Sequence, residues 1–245
     1  MAIFVFKRTE KKYLLTDDMY RDLMTAILPR LVPDKYCRST VCSLYLDTPD
    51  FRMIRASIDA RTYKEKLRVR CYGIPGEEDV AFLEIKKKFE GVVYKRREAM
   101  PLSSILRYLE EGRMPLQSQI MREIDYTWRV WQMPQPAALL AYEREAYVVK
   151  EQPSVRLTFD TNVRYRTEDL LLQHGHNGNV ILPKGTVLLE IKTEGAMPLF
   201  LAHALDALSI YPTSYSKYGT AYAEFSRPVC GDIAQNKQKG VFRYA

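Results

Sequence analysis

Soft metal ligands are scarce in this chain. Its four cysteines, Cys37, Cys42, Cys71 and Cys230, form no CxxC pair, and there are only three histidines. This argues against a zinc knuckle or a redox dithiol and favours free thiols in a reducing compartment. His174 and His176 flank Gly175 in a polar loop and read as surface residues. Long apolar runs are missing as well: no stretch reaches the roughly 18 residues that a membrane span needs. The opening MAIFVFKRTEKK has an apolar run too short for a signal peptide, with no basic segment before it. Internal repeats and low-complexity segments are also lacking. The expectation is a soluble, cytoplasmic protein without a transmembrane segment.

What is present is charge, in a particular arrangement. The 245 residues are 47 % hydrophobic and 27 % charged, enough for one globular domain with a substantial core. Lysine and arginine number 37 against 30 acidic residues, a formal charge of +7 that favours anionic partners. Where these cations lie says more than their number. In YKEKLRVRC, from Tyr63 to Cys71, a strand's period of two puts Lys64, Lys66, Arg68 and Arg70 on one face. Glu65, Leu67, Val69 and Cys71 take the other.

The same alternation recurs along the chain. Glu10 and Lys12 share a parity with Arg8. Ser43, Tyr45 and Asp47 lie opposite Cys42, Leu44 and Leu46. Glu84, Lys86 and Lys88 oppose Leu83 and Ile85. Tyr142 and Arg144 share a face, as do Arg156, Thr158 and Asp160, and Glu190 with Lys192. Strands are expected over 3–14, 41–47, 63–71, 81–89, 92–97, 138–149, 154–161 and 186–193. Helices are expected from Thr16 as N-cap over 17–28, over a short stretch within 48–58, and over 101–111, 117–130 and 199–208. Residues 169–185 read as a loop, and 211–225 as a closing strand or helix around YSKYG.

Roughly eight mostly antiparallel strands with apolar outer faces predict an α+β fold: an eight-stranded antiparallel β-barrel, or tunnel, with flanking helices over the wall. The charged faces then turn inward. An interior holding Arg8, Lys12, Lys66, Arg68, Arg70, Lys86, Arg144, Arg156, Lys192 and Lys217 must be wet and filled by anions, because unpaired buried charge is too costly. Phosphates suit it, since arginine forks engage two oxygens and lysine supplies a compact charge. Glu10, Glu84 and Glu190 sit among these cations, either as ion-pair partners or as oxygen ligands for Mg2+ or Mn2+. For any one strand the blander reading is a solvated face of a two-layer sheet; repetition over six or more strands weakens it. A platform for stacked bases is a further reading, which tyrosines on both parities mildly disfavour.

The charged strands resemble the VTC domain, the polyphosphate polymerase domain of the triphosphate tunnel metalloenzyme (CYTH-like) superfamily. The matching pieces are KRTEKKY (7–13), SLYLD (43–47), KLRVR (66–70), FLEIKKK (82–88), YKRR (94–97), YEREAY (142–147), VRLTFD (155–160), LLEIK (188–192) and YSKYG (215–219), in the family's order. The resemblance implies one domain over residues 3–228, followed by a polar tail at 229–245. It implies phosphate binding by Lys12, Arg68, Arg70, Lys86, Arg144, Arg156 and Lys217, with Arg8, Glu10, Lys66, Lys88, Lys192 and Ser216 beside them. Glu190 would hold the metal, Mn2+ or Mg2+. The implied activity is transfer of the terminal phosphoryl of ATP, or another triphosphate, to inorganic polyphosphate that leaves through the tunnel. Related enzymes hydrolyse triphosphates, and a non-catalytic binding module is the third expectation; no nucleic-acid partner is expected. Arg8 stands where the superfamily's hydrolases often carry the first Glu of ExExK, which suits the polymerase branch better. The regulatory SPX domain of eukaryotic polymerase members has no counterpart in these 245 residues.

Overall fold

Alternating apolar and polar residues make strands whose apolar side must be covered, and the helices supply that cover. The computed structural model of the protein describes residues 9–60, 62–90 and 92–227. Its strands are β1 (Thr9–Thr16), β2 (Leu31–Asp47), β3 (Tyr63–Tyr72), β4 (Val80–Phe89), β5 (Val92–Pro101), β6 (Gln135–Val149), β7 (Gln152–Arg166), the short β8 (Asn179–Val180) and β9 (Thr186–Thr193). Its helices are α1 (Asp17–Ile27), α2 (Arg52–Asp59), α3 (Leu102–Glu111), α4 (Gln119–Val130), α5 (Leu199–Ala207) and α6 (Lys217–Phe225). Thr16 caps α1 by accepting the Met19 N–H, and Gly112, at φ 68°, closes α3.

The outer face of the sheet is covered in two halves. Leu67, Val69, Leu83 and Ile85 pack under Ile105 and Tyr108 of α3 and Ile124 and Trp128 of α4. Tyr13, Leu15, Phe159, Leu189 and Ile191 pack under Leu23 and Ile27 of α1 and Leu201 and Leu205 of α5.

The expected closure into a barrel is not found. The antiparallel strands run β1-β9-β7-β6-β2-β3-β4-β5, with β8 hung on β7, and among the described residues no ladder joins β1 to β5. The reason lies at the edge of β1. The Thr213 N–H donates to the Lys12 carbonyl at 2.7 Å, so the segment before α6 takes up that edge. At the other edge, β5 carries Lys95, Arg96 and Arg97, charges that discourage pairing. The sheet is open but strongly curled. Glu10 on β1 reaches Lys86 on β4 at 3.5 Å, although six strand spacings separate them in the order. In a flat sheet those strands would lie about 29 Å apart. Curling brings the charged faces together on the concave side.

Candidate functional site

The concave side holds a cavity of about 450 Å³ lined by eleven lysines and arginines and only two glutamates. Lys64, Lys66, Arg68 and Arg70 all line it from β3, as the period of two requires. Lys12, Lys86, Lys88, Arg144, Lys192 and Lys217 join them, with Glu10, Glu190 and Ser216. One expected member among the described residues does not. Arg156 stands opposite Lys192 in register but turns to Asp34 at 2.7 Å and is not part of the lining. Arg8 lies outside the described residues, as do Cys230 and the tail at 229–245.

Four carboxylates hold the cations together, and each stands directly across a strand from a cation. The pairs are Glu10 with Lys192, Glu190 with Lys12, Glu84 with Arg68 and Asp160 with Arg144. Such opposed charges stabilise neighbouring strands. Asp160, fully buried, accepts a bidentate pair from Arg144 at 2.6 and 2.7 Å and meets Lys217 at 2.6 Å. Glu84 is gripped by Arg68 at 2.7 Å and Lys95 at 2.6 Å. Burial opposes ionisation of Glu84, but Arg68, Arg70 and Lys95 outweigh it and bring its carboxyl down to about 2.

Glu190 is the most crowded of the four. Lys217 lies 3.2 Å from it, Lys192 3.3 Å, and Lys12 and Arg144 3.6 Å each. Burial again opposes its charge, and these four cations hold it well below the usual carboxylate range. Among the described residues no cluster of three or more His, Cys, Asp or Glu could hold a metal ion. The donor set therefore does not fit an all-protein metal cage. It does fit a hard cation carried on phosphate oxygens and steadied by one or two carboxylates, here Glu190 with Glu10.

Tyrosines complete the wall. Arg70 donates to the Ser43 hydroxyl at 3.2 Å and the Tyr142 hydroxyl at 3.3 Å, and Lys217 lies 4.6 Å over the Tyr142 ring. Tyr45 accepts from Arg68 at 3.1 Å and stacks on Tyr218, centroids 4.4 Å apart. The Tyr218 hydroxyl donates to Asp47, which also accepts the Met53 and Ile54 N–H groups at the start of α2. Asp47 thus ties α2 and α6 to β2. Ser216 caps α6 by accepting the Gly219 N–H and also accepts from Lys66 at 2.9 Å.

Asp160, Tyr45, Tyr142 and Lys64 were not singled out as site residues from the sequence, although each was on an inward parity. The available signal was register: an acid directly opposite Arg144 belongs to the same cluster. His176 is also more engaged than a surface reading allows, its Nδ1 lying 3.6 Å from the buried Cys42 sulfur.

Two groups give the cavity a pH response. Burial, with the charges of Lys86, Lys12 and Arg68, lowers Lys66 to about 8. Burial resists ionisation of Tyr45, yet Arg68, Lys66 and Arg70 draw it down to about 8. Below that pH the pair carries one positive charge; above it the charge is lost and a phenolate is added. A phosphate ligand favours the protonated pair. Tripolyphosphate affinity is therefore expected to fall as pH rises through about 8, with net proton uptake on binding there. Calorimetry in two buffers of different ionisation heat checks this; proton release, or no exchange, contradicts it.

A curled antiparallel sheet gathering cations on its concave face is the architecture of the triphosphate tunnel metalloenzyme, or CYTH-like, superfamily. Within that class the chain belongs to the VTC domain family, whose model matches residues 7–226. Among solved structures, it is similar to a Bacillus halodurans protein assigned provisionally as an adenylate cyclase. The TM-score is 0.52 at 13 % identity, covering 90 % of this chain and 100 % of that one. A Vibrio parahaemolyticus protein with the same provisional assignment matches at TM-score 0.47 and 12 % identity, over 87 % and 97 % of the two chains. At such identities the first of these likenesses speaks for the fold alone. No curated protein matches the chain. Membership of the family points to nucleotide or polyphosphate handling in general. Among the described residues no helix is long and apolar enough to cross a membrane.

Proposed function

We propose that the protein binds the phosphate chain of ATP or another triphosphate and moves its terminal phosphoryl group onto inorganic polyphosphate. The observation that carries this reading is the imbalance of the cavity wall, eleven cations against two glutamates. Such a wall is incomplete without an anion. A phosphate chain supplies several charges in a row, matched to the run Lys64, Lys66, Arg68 and Arg70. Arg68, Arg70 and Arg144 would bind and orient phosphate oxygens; Lys12, Lys86 and Lys217 would offset charge that develops on the transferring group. The bond from the terminal phosphorus to the bridging oxygen breaks, ADP leaves with that electron pair, and an oxygen of the acceptor phosphate forms the new bond. That acceptor is already anionic, so no general base is assigned. Mg2+ or Mn2+, held by Glu190 with Glu10 and the phosphates, would supply further charge neutralisation.

Water as acceptor, giving a triphosphatase, is the second reading. The same cations would hold a triphosphate for attack by water. A binding module without turnover would keep the same cations. Base stacking gains no support: Tyr45, Tyr142 and Tyr218 are buried in contacts of their own. Incubation with ATP and Mn2+ tests the proposal. Polyphosphate accumulating with ADP is expected. Orthophosphate as sole product moves the assignment to a triphosphatase, and no turnover with any divalent ion leaves only binding.

A further inference from the structure

The outer face of β2 and β3 carries a pair of thiols that no CxxC spacing announces. Cys42 and Cys71 stand directly opposite each other in register, one rung beyond Ser43 and Arg70. Arg70 lines the cavity; the two cysteines take the opposite face and join the buried apolar cluster of Val69 and Leu172. Both are buried, and both are free. Opposed residues on antiparallel strands have Cα atoms about 4.5–5.5 Å apart, inside the span of about 4.4–6.8 Å that a disulfide takes. Joining them therefore asks little movement of the strands.

The two sulfurs are not equivalent. His176 brings Nδ1 to 3.6 Å from the Cys42 sulfur, whereas Cys71 has the Gly73 carbonyl at 3.7 Å, an acceptor for a retained proton. The Cys71 thiol, outweighing burial and helped by His176 and Arg166, draws the Cys42 thiol below its ordinary range. Facing that sulfur, and buried, Cys71 is held well above the same range. Arg166 explains part of the asymmetry. Its buried guanidinium donates to the carbonyls of Asp169, Leu171, Gly175 and Asn177 and to the Asn177 side chain, all of them neutral. Among the described residues no carboxylate pairs with it, and a thiolate at Cys42 supplies the missing anion.

A short stretch of loop separates the pair from solvent. His176, in contact with the Cys42 sulfur, is half-buried, and Asn177 and Gly178 beside it are exposed. A molecule near the size of water reaches Cys42 when this stretch opens locally, while a bulky reagent does not.

We propose that Cys42 and Cys71 form a reversible dithiol–disulfide couple oxidised by peroxide, with Cys42 as the attacking sulfur and Cys71 as the resolving one. The Cys42 thiolate attacks one peroxide oxygen: the S–O bond forms, the O–O bond breaks, and hydroxide departs, leaving a sulfenic acid. The Cys71 sulfur then attacks the Cys42 sulfur. The S–S bond forms, the S–O bond breaks, and the departing hydroxide takes the Cys71 proton and leaves as water. Two electrons pass from the thiols to the peroxide, and a dithiol reductant returns them. This site lies apart from the phosphate cavity and does not depend on how that cavity is read.

The test treats the full-length protein with hydrogen peroxide, blocks the remaining thiols and maps the linked peptides by mass spectrometry. The Cys42 and Cys71 peptides are expected joined, lighter by two hydrogens, and separate again after reduction. Met133, 49 % exposed, serves as the internal measure of dose. Both thiols still free once Met133 is sulfoxide overturns the proposal, and so does a disulfide formed through Cys37 or Cys230 instead. A sulfenic-acid trap such as dimedone then reads the order of attack. Cys71→Ser is expected to trap at Cys42 at least about tenfold more than Cys42→Ser traps at Cys71. Equal trapping overturns the roles given to the two sulfurs. The linkage map on the unaltered protein decides the couple itself without either variant.

Discussion

Replacing Glu190 with Gln is expected to tighten tripolyphosphate binding by the metal-free protein by about tenfold, while lowering Mn2+-dependent phosphoryl transfer by about a hundredfold. The two effects have opposite signs because the residue has two partners. Without metal, Glu190 neutralises Lys217, Lys192, Lys12 and Arg144 at 3.2 to 3.6 Å. Gln fills the same space without the charge, so those cations are released to the phosphates. With metal, the carboxylate that would steady the cation beside the phosphates is gone. A merely structural ion-pair partner gives the first change without the second. Isothermal titration in chelator, followed by turnover with Mn2+, reads both. A fall in metal-free affinity, or turnover undiminished in Glu190→Gln, contradicts the role assigned to it.

Asp160→Ala is expected to lower stability by about 3–5 kcal/mol, the usual cost of stripping one partner from a buried ion pair. Asp160 is fully buried and holds both Arg144 and Lys217. Its loss leaves two cations sharing Glu190 alone, at 3.6 and 3.2 Å. The urea midpoint should move down by about 1–2 M for a slope of about 2–3 kcal/mol per molar. Tripolyphosphate should restore part of this, about 2.7 kcal/mol at a hundred times its Kd, because it replaces the missing anion. A change within about 0.5 kcal/mol would show that the pair is not structural.

How much of this was legible in the sequence follows from what a period of two can report. It places Lys64, Lys66, Arg68 and Arg70 together without any knowledge of the fold, and it does the same for Glu190 with Lys192. Apolar outer faces and helices to cover them follow from the same alternation. What it cannot report is how a sheet ends. Whether β1 meets β5 is decided by backbone groups at the edges, and there Thr213 intervenes. Nor can alternation show where an inward face turns apolar. Val41 and Leu188 read as ordinary members of their strands, and only their meeting with Tyr142, Val163 and Leu182 makes them one buried cluster beside the cavity wall.

Arg156 was misplaced for a related reason. The expected strand began at Val41, whereas β2 begins at Leu31, with a register shift between Pro33 and Arg38. Asp34 falls within that shift, and its carboxylate meets Arg156 at 2.7 Å. Asp160 was visible on the right parity, but its role depends on standing opposite Arg144, which a single strand's pattern does not disclose.

The central claim is that the concave cavity is built for a short run of phosphates. Equilibrium competition between tripolyphosphate and single-stranded DNA at moderate salt tests it most directly, since both offer phosphate charge but only one brings it without bases and sugars that a cavity of about 450 Å³ must also admit. Tripolyphosphate is predicted to displace the DNA and to bind the more tightly. DNA bound far more tightly, and undisturbed by tripolyphosphate, would contradict the account.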